Sequence, residues 1–240
     1  LRMSVAKQIR NFVDKVEVGK VFTYVDIPCD KKATAAIELS RLYKQGIVKK
    51  ISKGKYYKPK LSRFGELGPN SNETIKSYVG LSDKPSYETG LNSFRKLGLT
   101  TQVANVTTIA TDQSSRKIKL GNLNLKFVKK RVNAPRKYSY LLQILDTLKD
   151  IKSIPDTTPS EALEYLKNLI EKLDKAEQIK LSVYAKEYTP RTKALVGAIL
   201  KDIGLWEEAY KLKSQLNPLT KYKLGIKKGI VKNQVEWGIV

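Results

Sequence analysis

The spacing of apolar residues over the first 60 positions predicts two helices followed by a hairpin. Apolar residues at three- and four-residue steps mark the first helix, which ends before Gly19: Val5, Ile9, Phe12 and Val13. Residues 22–27 link it to a second helix. We expect that helix to begin with Asp30 as its N-cap and to end at Gly46, a residue suited to a left-handed stop.

The second helix has two contrasting faces. One is largely apolar and is predicted to pack against the rest of the domain: Ala35, Ala36, Leu39, Leu42 and Tyr43. The other is polar and is predicted to remain free: Lys31, Thr34, Glu38, Arg41 and Gln45. On that free face Glu38 would repel phosphate unless it meets a cytosine amino group or pairs with Arg41.

Two β-prone runs follow Gly46, at residues 47–51 and 55–58, around a turn at Ser52-Lys53-Gly54. Lysines are frequent along this hairpin. The order of helix, link, helix and lysine-rich hairpin predicts a winged helix-turn-helix domain in residues 1–60. The alternative interpretation is a solvated hairpin that contacts nothing.

Residues 61–135 have a different pattern. Leu61 to Pro69 contains two glycines and a proline and predicts a linker. Ser86 is expected to cap a helix through Leu97. Three strand-like runs follow at residues 102–110, 116–120 and 123–130, and the turn at Gly121-Asn122 joins the last two. We therefore predict a small α/β unit with one helix on a short antiparallel sheet.

Residues 136–240 are predicted to form a helical C-terminal part with an extended tail. Leucines between 141 and 148 mark one helix, and the capping box Thr158-Pro159-Ser160-Glu161 opens another. Thr189-Pro190 opens a third, and Trp206 lies in a fourth. After Pro218 the tail is expected to lie over the helices or the small sheet. The predicted fold class is α+β.

The charge of the chain narrows the choice of partner. The sequence has 46 Lys+Arg and 23 Asp+Glu, a net charge of +23, and residues 1–60 alone contribute 15 and 5, a net of +10. Such a field attracts polyanions, because each neutralised phosphate releases condensed counterions. A basic RNA-binding structural protein would fit this charge but would not need the free helix face.

We therefore predict that residues 1–60 bind duplex DNA, with the second helix in the major groove and the hairpin on the backbone. The predicted contacts to base edges come from the second helix: Lys31, Lys32, Thr34 and Arg41. The predicted contacts to phosphates come from the hairpin: Lys49, Lys50, Lys53 and Lys55.

The residue types present exclude most catalytic chemistry. The chain has no histidine and one cysteine, Cys29, so a Ser-His-Asp triad, a Cys/His zinc site and an internal disulfide are all impossible. A metal-dependent nuclease remains, with Asp112 at a strand end and Lys117 and Lys119 on the next strand. Its second carboxylate is missing, so we interpret Asp112 as a turn residue and predict no enzymatic activity and no cofactor.

The sequence also carries an expectation about location. Its longest apolar runs, around Gly197, fall far short of the ~18 residues that span a bilayer, and no signal peptide is visible. We expect a cytoplasmic protein with no membrane partner.

Four segments carry a resemblance to a known family: IELSRLYKQGIVKKISKGKYY, SYETGLNSFRKLGL, TTIATDQSSRKIKLGN and TPRTKALVGAILKDIG. With these four segments in this order, the chain resembles the AbiEi-family antitoxins of type IV toxin-antitoxin systems. The resemblance implies an N-terminal winged helix that binds its own promoter and represses transcription. It also implies a C-terminal part that counters a nucleotidyltransferase-like toxin encoded beside it, without a stable complex.

We expect the antitoxin region to be residues 61–240, which carry a net charge of +13. A basic surface there could bind the toxin's nucleic-acid or nucleotide substrate: Lys126, Lys129, Lys130, Arg131, Arg136 and Lys137. A solvated basic strand end is the other interpretation. The alternative functions are a metal-dependent nuclease or a basic nucleic-acid-binding protein with no antitoxin role.

Overall fold

The computed structural model describes residues 4–29, 31–63, 65–79, 85–120 and 122–240. The predicted N-cap Asp30 and the turn residue Gly121 lie outside the described residues. The fold is α+β, as predicted. The chain divides into two compact units, Leu1–Leu81 with Ile118–Asn124, and Ser82–Lys117 with Leu125–Val240. No helix within the described ranges is long and apolar enough to cross a membrane.

The first unit begins with α1 (Val5–Lys15), β1 (Val21–Thr23) and α2 (Lys32–Lys44). The hairpin of β2 (Lys49–Ser52) and β3 (Lys55–Tyr57) follows, and β3 is the central strand of an antiparallel sheet with the order β1-β3-β2. Gly46 has a positive φ of 75°, which confirms the predicted left-handed stop after α2.

Apolar residues from α1, β1, α2 and β3, with one from the link before α2 and one just before β2, share a core: Ile9, Val13, Phe22, Ile27, Ala35, Leu39, Leu42, Val48 and Tyr56. Three aromatic rings bind β1 to β3 within it. Phe22 stacks on Tyr56 with ring centroids 6.2 Å apart, and Tyr24 meets Tyr56 edge-on at 6.0 Å. Ala35, Leu39 and Leu42 of α2 belong to the same core as Tyr56 of the hairpin.

The segment predicted as a linker contains a second hairpin, formed by β4 (Lys60–Ser62) and β5 (Gly65–Leu67). Gly65 is one of the two glycines on which the linker prediction rested, and here its positive φ of 105° lets the chain reverse. Next comes α3 (Ser71–Tyr78), capped by Asn70, whose backbone N–H donates to the carbonyl of Gly19. The first unit thus continues beyond residue 60.

After residue 84 the chain forms β6 (Tyr87–Thr89), α4 (Leu91–Lys96), β7 (Thr107–Thr111), β8 (Arg116–Leu120) and β9 (Leu123–Lys129). These elements belong to the second unit except for Ile118–Asn124, the end of β8 and the start of β9, which belong to the first. The sheet order is β6-β7-β9-β8. Two predictions are corrected here. The helix predicted to follow Ser86 begins only at Leu91, because residues 87–89 form β6 and pair with β7. The sheet is mixed and not purely antiparallel, because β7 runs parallel to β9.

Helices form the rest of the second unit: α5 (Ser139–Lys149), α6 (Pro159–Glu171), α7 (Lys175–Ala185), α8 (Pro190–Asp202) and α9 (Trp206–Lys213). Short 3-10 helices cover Arg136–Tyr138, Ile151–Ser153 and Gln234–Trp237. The capping box from Thr158 to Glu161 is confirmed, with both reciprocal hydrogen bonds present. The sequence analysis missed α7, although Asp174 and Glu177 form a second capping box.

The tail after Pro218 packs into the core of the second unit. Five of its side chains are buried there: Leu224, Ile226, Val231, Trp237 and Ile239. Asp202, which is paired with Lys167, accepts hydrogen bonds from the backbone N–H of Lys232, and Lys167 donates to the carbonyl of Ile230, so this ion pair attaches the tail to α6 and α8. A bridge between Tyr222 and Ile239 joins the two ends of the tail to each other. The tail is therefore part of the second unit's core, and one 3-10 helix interrupts its extended course.

Candidate nucleic-acid interface

The exposed face of α2 differs from the predicted one by about one residue. The residues of α2 that are buried are Ala35, Glu38, Leu39 and Leu42. Because a helix repeats every 3.6 residues, the opposite face is formed by Ala33, Ile37, Ser40 and Lys44, all of which are exposed. Ile37 lies near the centre of this face with 57 % of its side chain accessible.

Two side chains of α2 are placed differently from the expectation. Tyr43, predicted to pack inward, is exposed, while Glu38, predicted to lie on the free face, is only 2 % exposed. Anchoring the helix on Leu39 and Leu42 alone would have given the observed face. The apolar character of Tyr43 shifted the predicted face away from Ile37 and Ser40.

The predicted base-contact residues of α2 remain accessible. Lys31, Lys32 and Thr34 are exposed around its N-terminal end. Arg41 lies at the edge of the exposed face, and 65 % of its side chain is accessible. All four residues are thus exposed, but they do not share one face, because a helix that repeats every 3.6 residues places Lys32 on the opposite side of α2 from Arg41.

Glu38 joins two arginines at this edge of α2. Its Oε1 accepts a hydrogen bond from Nε of Arg10, on α1, at 2.7 Å, and its Oε2 lies 3.4 Å from Nη1 of Arg41. The hydrogen bond from Arg10 lowers the pKa of Glu38 below its ordinary value, so the carboxylate is ionised at neutral pH. Of the two alternatives for Glu38, the pairing with Arg41 is present, and Arg10 is an additional partner from another helix.

The β2–β3 hairpin has a tightly packed turn. Gly54 has a positive φ of 77°, and a Cβ there would lie 3.1 Å from the ring of Tyr24. The hydroxyl groups of Tyr24 and Tyr56 are 3.2 Å apart. Burial, and to a smaller extent this hydrogen bond, raises the pKa of Tyr56 to about 12. The positive φ favours glycine at the turn, and a Cβ there would require the Tyr24 ring to shift slightly.

The four hairpin lysines have three different surroundings. Lys50 and Lys53 are exposed. The ammonium of Lys49 lies 3.2 Å from a carboxylate oxygen of Glu66, on β5. The ammonium of Lys55 donates to the backbone carbonyl of Ser77 and sits 3.6 Å from the centre of the Tyr78 ring. Lys55 therefore stabilises the C-terminal end of α3 instead of facing solvent.

The predicted basic surface of the second unit is divided in a similar way. Five of its members are exposed: Lys126, Lys129, Arg131, Arg136 and Lys137. Lys130 is not on that surface, because 1 % of its side chain is accessible. Its ammonium lies 3.2 Å from Asp112 and donates to the carbonyl of Pro85. Asp112 thus neutralises a buried lysine. Across the described ranges, no three acidic, histidine or cysteine residues converge as a metal site would require.

A buried carboxylate lies in the core of the second unit. Asp146, on α5, accepts hydrogen bonds from the hydroxyl groups of Tyr87 at 3.1 Å, Thr89 at 2.7 Å and Tyr188 at 3.0 Å. Burial and the Asp146 charge raise the pKa of both tyrosines. These contacts tie β6, α5 and the segment before α8 to one point. This network was not predicted from the sequence, because its donors are 42 to 59 residues from Asp146.

Comparison with known proteins identifies the family. A model of a family of unknown function, DUF6088, matches residues 8–180. The chain belongs to the DUF6088 family. The match extends from α1 into α7 and so includes α2 and the β2–β3 hairpin. The crystal structure of the RV2827C protein from Mycobacterium tuberculosis is similar to this chain with a TM-score of 0.48 and 11 % identity, over 99 % of this chain and 92 % of that one. No curated protein matches the sequence.

Proposed function

We propose that this DUF6088 protein is a DNA-binding transcriptional regulator whose first unit is a winged helix-turn-helix. In this proposal α2 lies in the major groove of duplex DNA, and the β2–β3 hairpin is the wing. The observation that carries the proposal is the exposed face of α2, which lies opposite the core and beside exposed lysines. The net charge of +10 in residues 1–60 supports a polyanionic partner.

The exposed face of α2 offers side chains for base edges. Ser40 and Lys44 have hydrogen-bonding groups that suit the donor and acceptor pattern of the major groove, and the exposed Ile37 suits a thymine methyl group. Lys31, Lys32 and Thr34 extend this surface at the N-terminal end. Lys50 and Lys53 supply phosphate contacts from the wing.

The test compares two duplexes of equal length, one from the region upstream of the protein's own gene and one with scrambled sequence. Lys44→Ala and Ile37→Ala should each weaken binding to the upstream duplex by about 1–3 kcal/mol and should change binding to the scrambled duplex far less. Lys175→Ala, at the exposed start of α7, is the control for loss of one charge. Equal losses on both duplexes would contradict base recognition by α2, and no duplex binding by the wild type would refute the proposal.

We propose further that the protein is the antitoxin and autorepressor of a type IV toxin-antitoxin operon, countering a nucleotidyltransferase-like toxin without a stable complex. The resemblance to AbiEi-family antitoxins supports this part of the proposal. The division of the chain into two compact units supports separate sites for DNA and for the antitoxin effect.

A full-length variant separates these two roles. Ser40→Glu with Lys44→Glu places two negative charges on the exposed face of α2 and should abolish repression of a promoter reporter, because both carboxylates would face phosphate. Co-expression with the toxin from the neighbouring gene should still restore growth. Loss of rescue by this folded variant would show that the antitoxin effect depends on DNA binding.

A further inference from the structure

Two arginines from different helices converge on one buried carboxylate beside the exposed face of α2. Arg10 and Arg41 are 54 % and 65 % accessible, whereas Glu38 between them is 2 % accessible. The carboxylate holds each guanidinium from its inner side. The hydrogen bond from Arg10 uses Nε–H, so this bond does not use the N–H donors of the two terminal amino groups.

The position of the Arg10–Glu38–Arg41 cluster beside α2 determines which part of a DNA duplex it can contact. A helix with its side chains is about 10–12 Å across, and the major groove is about 12 Å wide, so the flanks of a helix in the groove lie beside the two sugar-phosphate backbones. Arg41 lies on the accessible flank of α2 beside the central face of Ile37, Ser40 and Lys44, and Glu38 lies on the buried side of that flank, toward α1. Arg10 extends this flank from α1.

We infer that Arg10 and Arg41, held by Glu38, form a binding site for one backbone phosphate of duplex DNA at the edge of the groove that α2 occupies. The inference rests on the proposed function. It adds Arg10 to the DNA-binding residues, and it moves Arg41 from contacting a base to contacting phosphate. Glu38 is a positioning residue in this site, because it orients the guanidinium groups without touching DNA.

The chemistry of the three side chains fits this role. Two guanidinium groups and one carboxylate have a net charge of +1, and each guanidinium has further N–H donors in a planar fork that matches phosphate oxygens. A side chain already fixed before binding loses less conformational entropy on contact. Glu38 therefore offsets its own repulsion of phosphate by holding two donors in place.

The experiment measures binding of the full-length protein to the upstream and scrambled duplexes over a series of salt concentrations. Arg10→Ala and Arg41→Ala should each weaken binding to both duplexes by the same factor, roughly tenfold at 0.1 M salt, and should reduce the slope of log K against log salt by about 0.9. Lys76→Ala is the matched control, because Lys76 is also exposed and pairs with Glu73 three residues away. It should leave the slope unchanged.

Glu38→Gln tests the positioning role. It keeps both arginines and makes the protein more positive, so a purely electrostatic effect would strengthen DNA binding. We expect binding to both duplexes to weaken, with circular dichroism confirming that the variant is folded. Should Glu38→Gln be misfolded, the two arginine variants decide the inference by their slopes.

The outcomes separate this inference from the proposed function. If the wild type binds no duplex, both are wrong. If the wild type binds but Arg10→Ala leaves affinity and slope unchanged, the phosphate site is wrong and the proposed function stands. If Arg41→Ala weakens the upstream duplex alone, Arg41 contacts a base, and the shared phosphate site is again wrong.

Discussion

At the scale of single residues, the same amino acid has different roles according to what surrounds its side chain. Lys53 and Lys55 are two positions apart on one hairpin, yet Lys53 is exposed and Lys55 is bound to the end of α3. Lys129 and Lys130 form a similar pair, with the first exposed and the second buried against Asp112. A run of lysines in the sequence therefore overstates the basic surface.

This difference predicts opposite results for two hairpin variants. Lys53→Ala should reduce the slope of log K against log salt for DNA binding by about one and leave stability unchanged, because it removes the proposed phosphate contact. Lys55→Ala should lower the stability of the first unit by about 1–3 kcal/mol and leave the slope unchanged, because the Ser77 carbonyl loses its donor. Urea unfolding and salt titration measure the two effects. A slope change for Lys55→Ala would place its ammonium at DNA.

Asp146 is predicted to be the most sensitive polar residue of the second unit. Asp146→Ala leaves the hydroxyl groups of Tyr87, Thr89 and Tyr188 without their acceptor and should cost about 3–5 kcal/mol. Asp150→Ala, which removes a half-buried carboxylate one turn later that pairs with Lys149, should cost less than about 1 kcal/mol. Fluorescence of Trp206 and Trp237 reports unfolding of this unit. Equal costs for the two variants would contradict the network.

Tyr56 gives the first unit a predictable response to alkaline pH. Its pKa of about 12 in the folded state lies above the ordinary value of 10, so the neutral phenol stabilises the fold fully below pH 10 and progressively less up to pH 12. Relative to Tyr56→Phe, the wild type should lose about 2–3 kcal/mol of unfolding free energy over this range. Unfolding followed by circular dichroism at several pH values measures the difference. A constant difference would show that Tyr56 ionises with its ordinary pKa.

At the scale of secondary-structure elements, the tail determines what α8 can contain. Gly197 lies inside α8, where glycine is normally unfavourable by about 1 kcal/mol relative to alanine. A Cβ at this position would overlap the six-membered ring of Trp237 from the tail. Glycine is therefore required by the packing of two elements that are 40 residues apart in sequence.

Gly197→Ala should consequently destabilise the second unit by about 1–3 kcal/mol, although the same change in an exposed helix would stabilise it. Trp237→Leu removes the ring, so the double variant should lose less stability than the sum of the single variants. Urea unfolding of the four proteins measures this coupling. A neutral or stabilising Gly197→Ala would mean that the tail does not pack on α8.

At the scale of the whole molecule, the amino-acid composition limits which reactions the protein can catalyse. The chain has 46 basic residues and no histidine, and Asp112 pairs with Lys130. We predict that the purified protein cleaves neither DNA nor RNA with magnesium or manganese. Nuclease assays with Asp112→Asn as the comparison test this. Metal-dependent cleavage that Asp112→Asn abolishes would restore the nuclease alternative.

Local sequence determined most of the helices and the first hairpin. The stop at Gly46 and the capping box at Thr158 depend on residues within one turn of each other, so they can be read directly from the sequence. The same holds for the β2–β3 turn at Gly54. Local signals also placed α2 beside a lysine-rich hairpin, which is the basis of the proposed DNA-binding unit.

Tertiary structure decided which polar groups are accessible and which strands pair. Glu38 is buried because Arg10, 28 residues earlier, supplies a partner, and Lys130 is buried because Asp112 does the same. The parallel pairing of β7 with β9 likewise depends on residues distant in sequence. Burying a charge is costly unless a partner is present, and periodicity does not show that partner. The Arg10–Glu38–Arg41 cluster was therefore visible only in the folded chain.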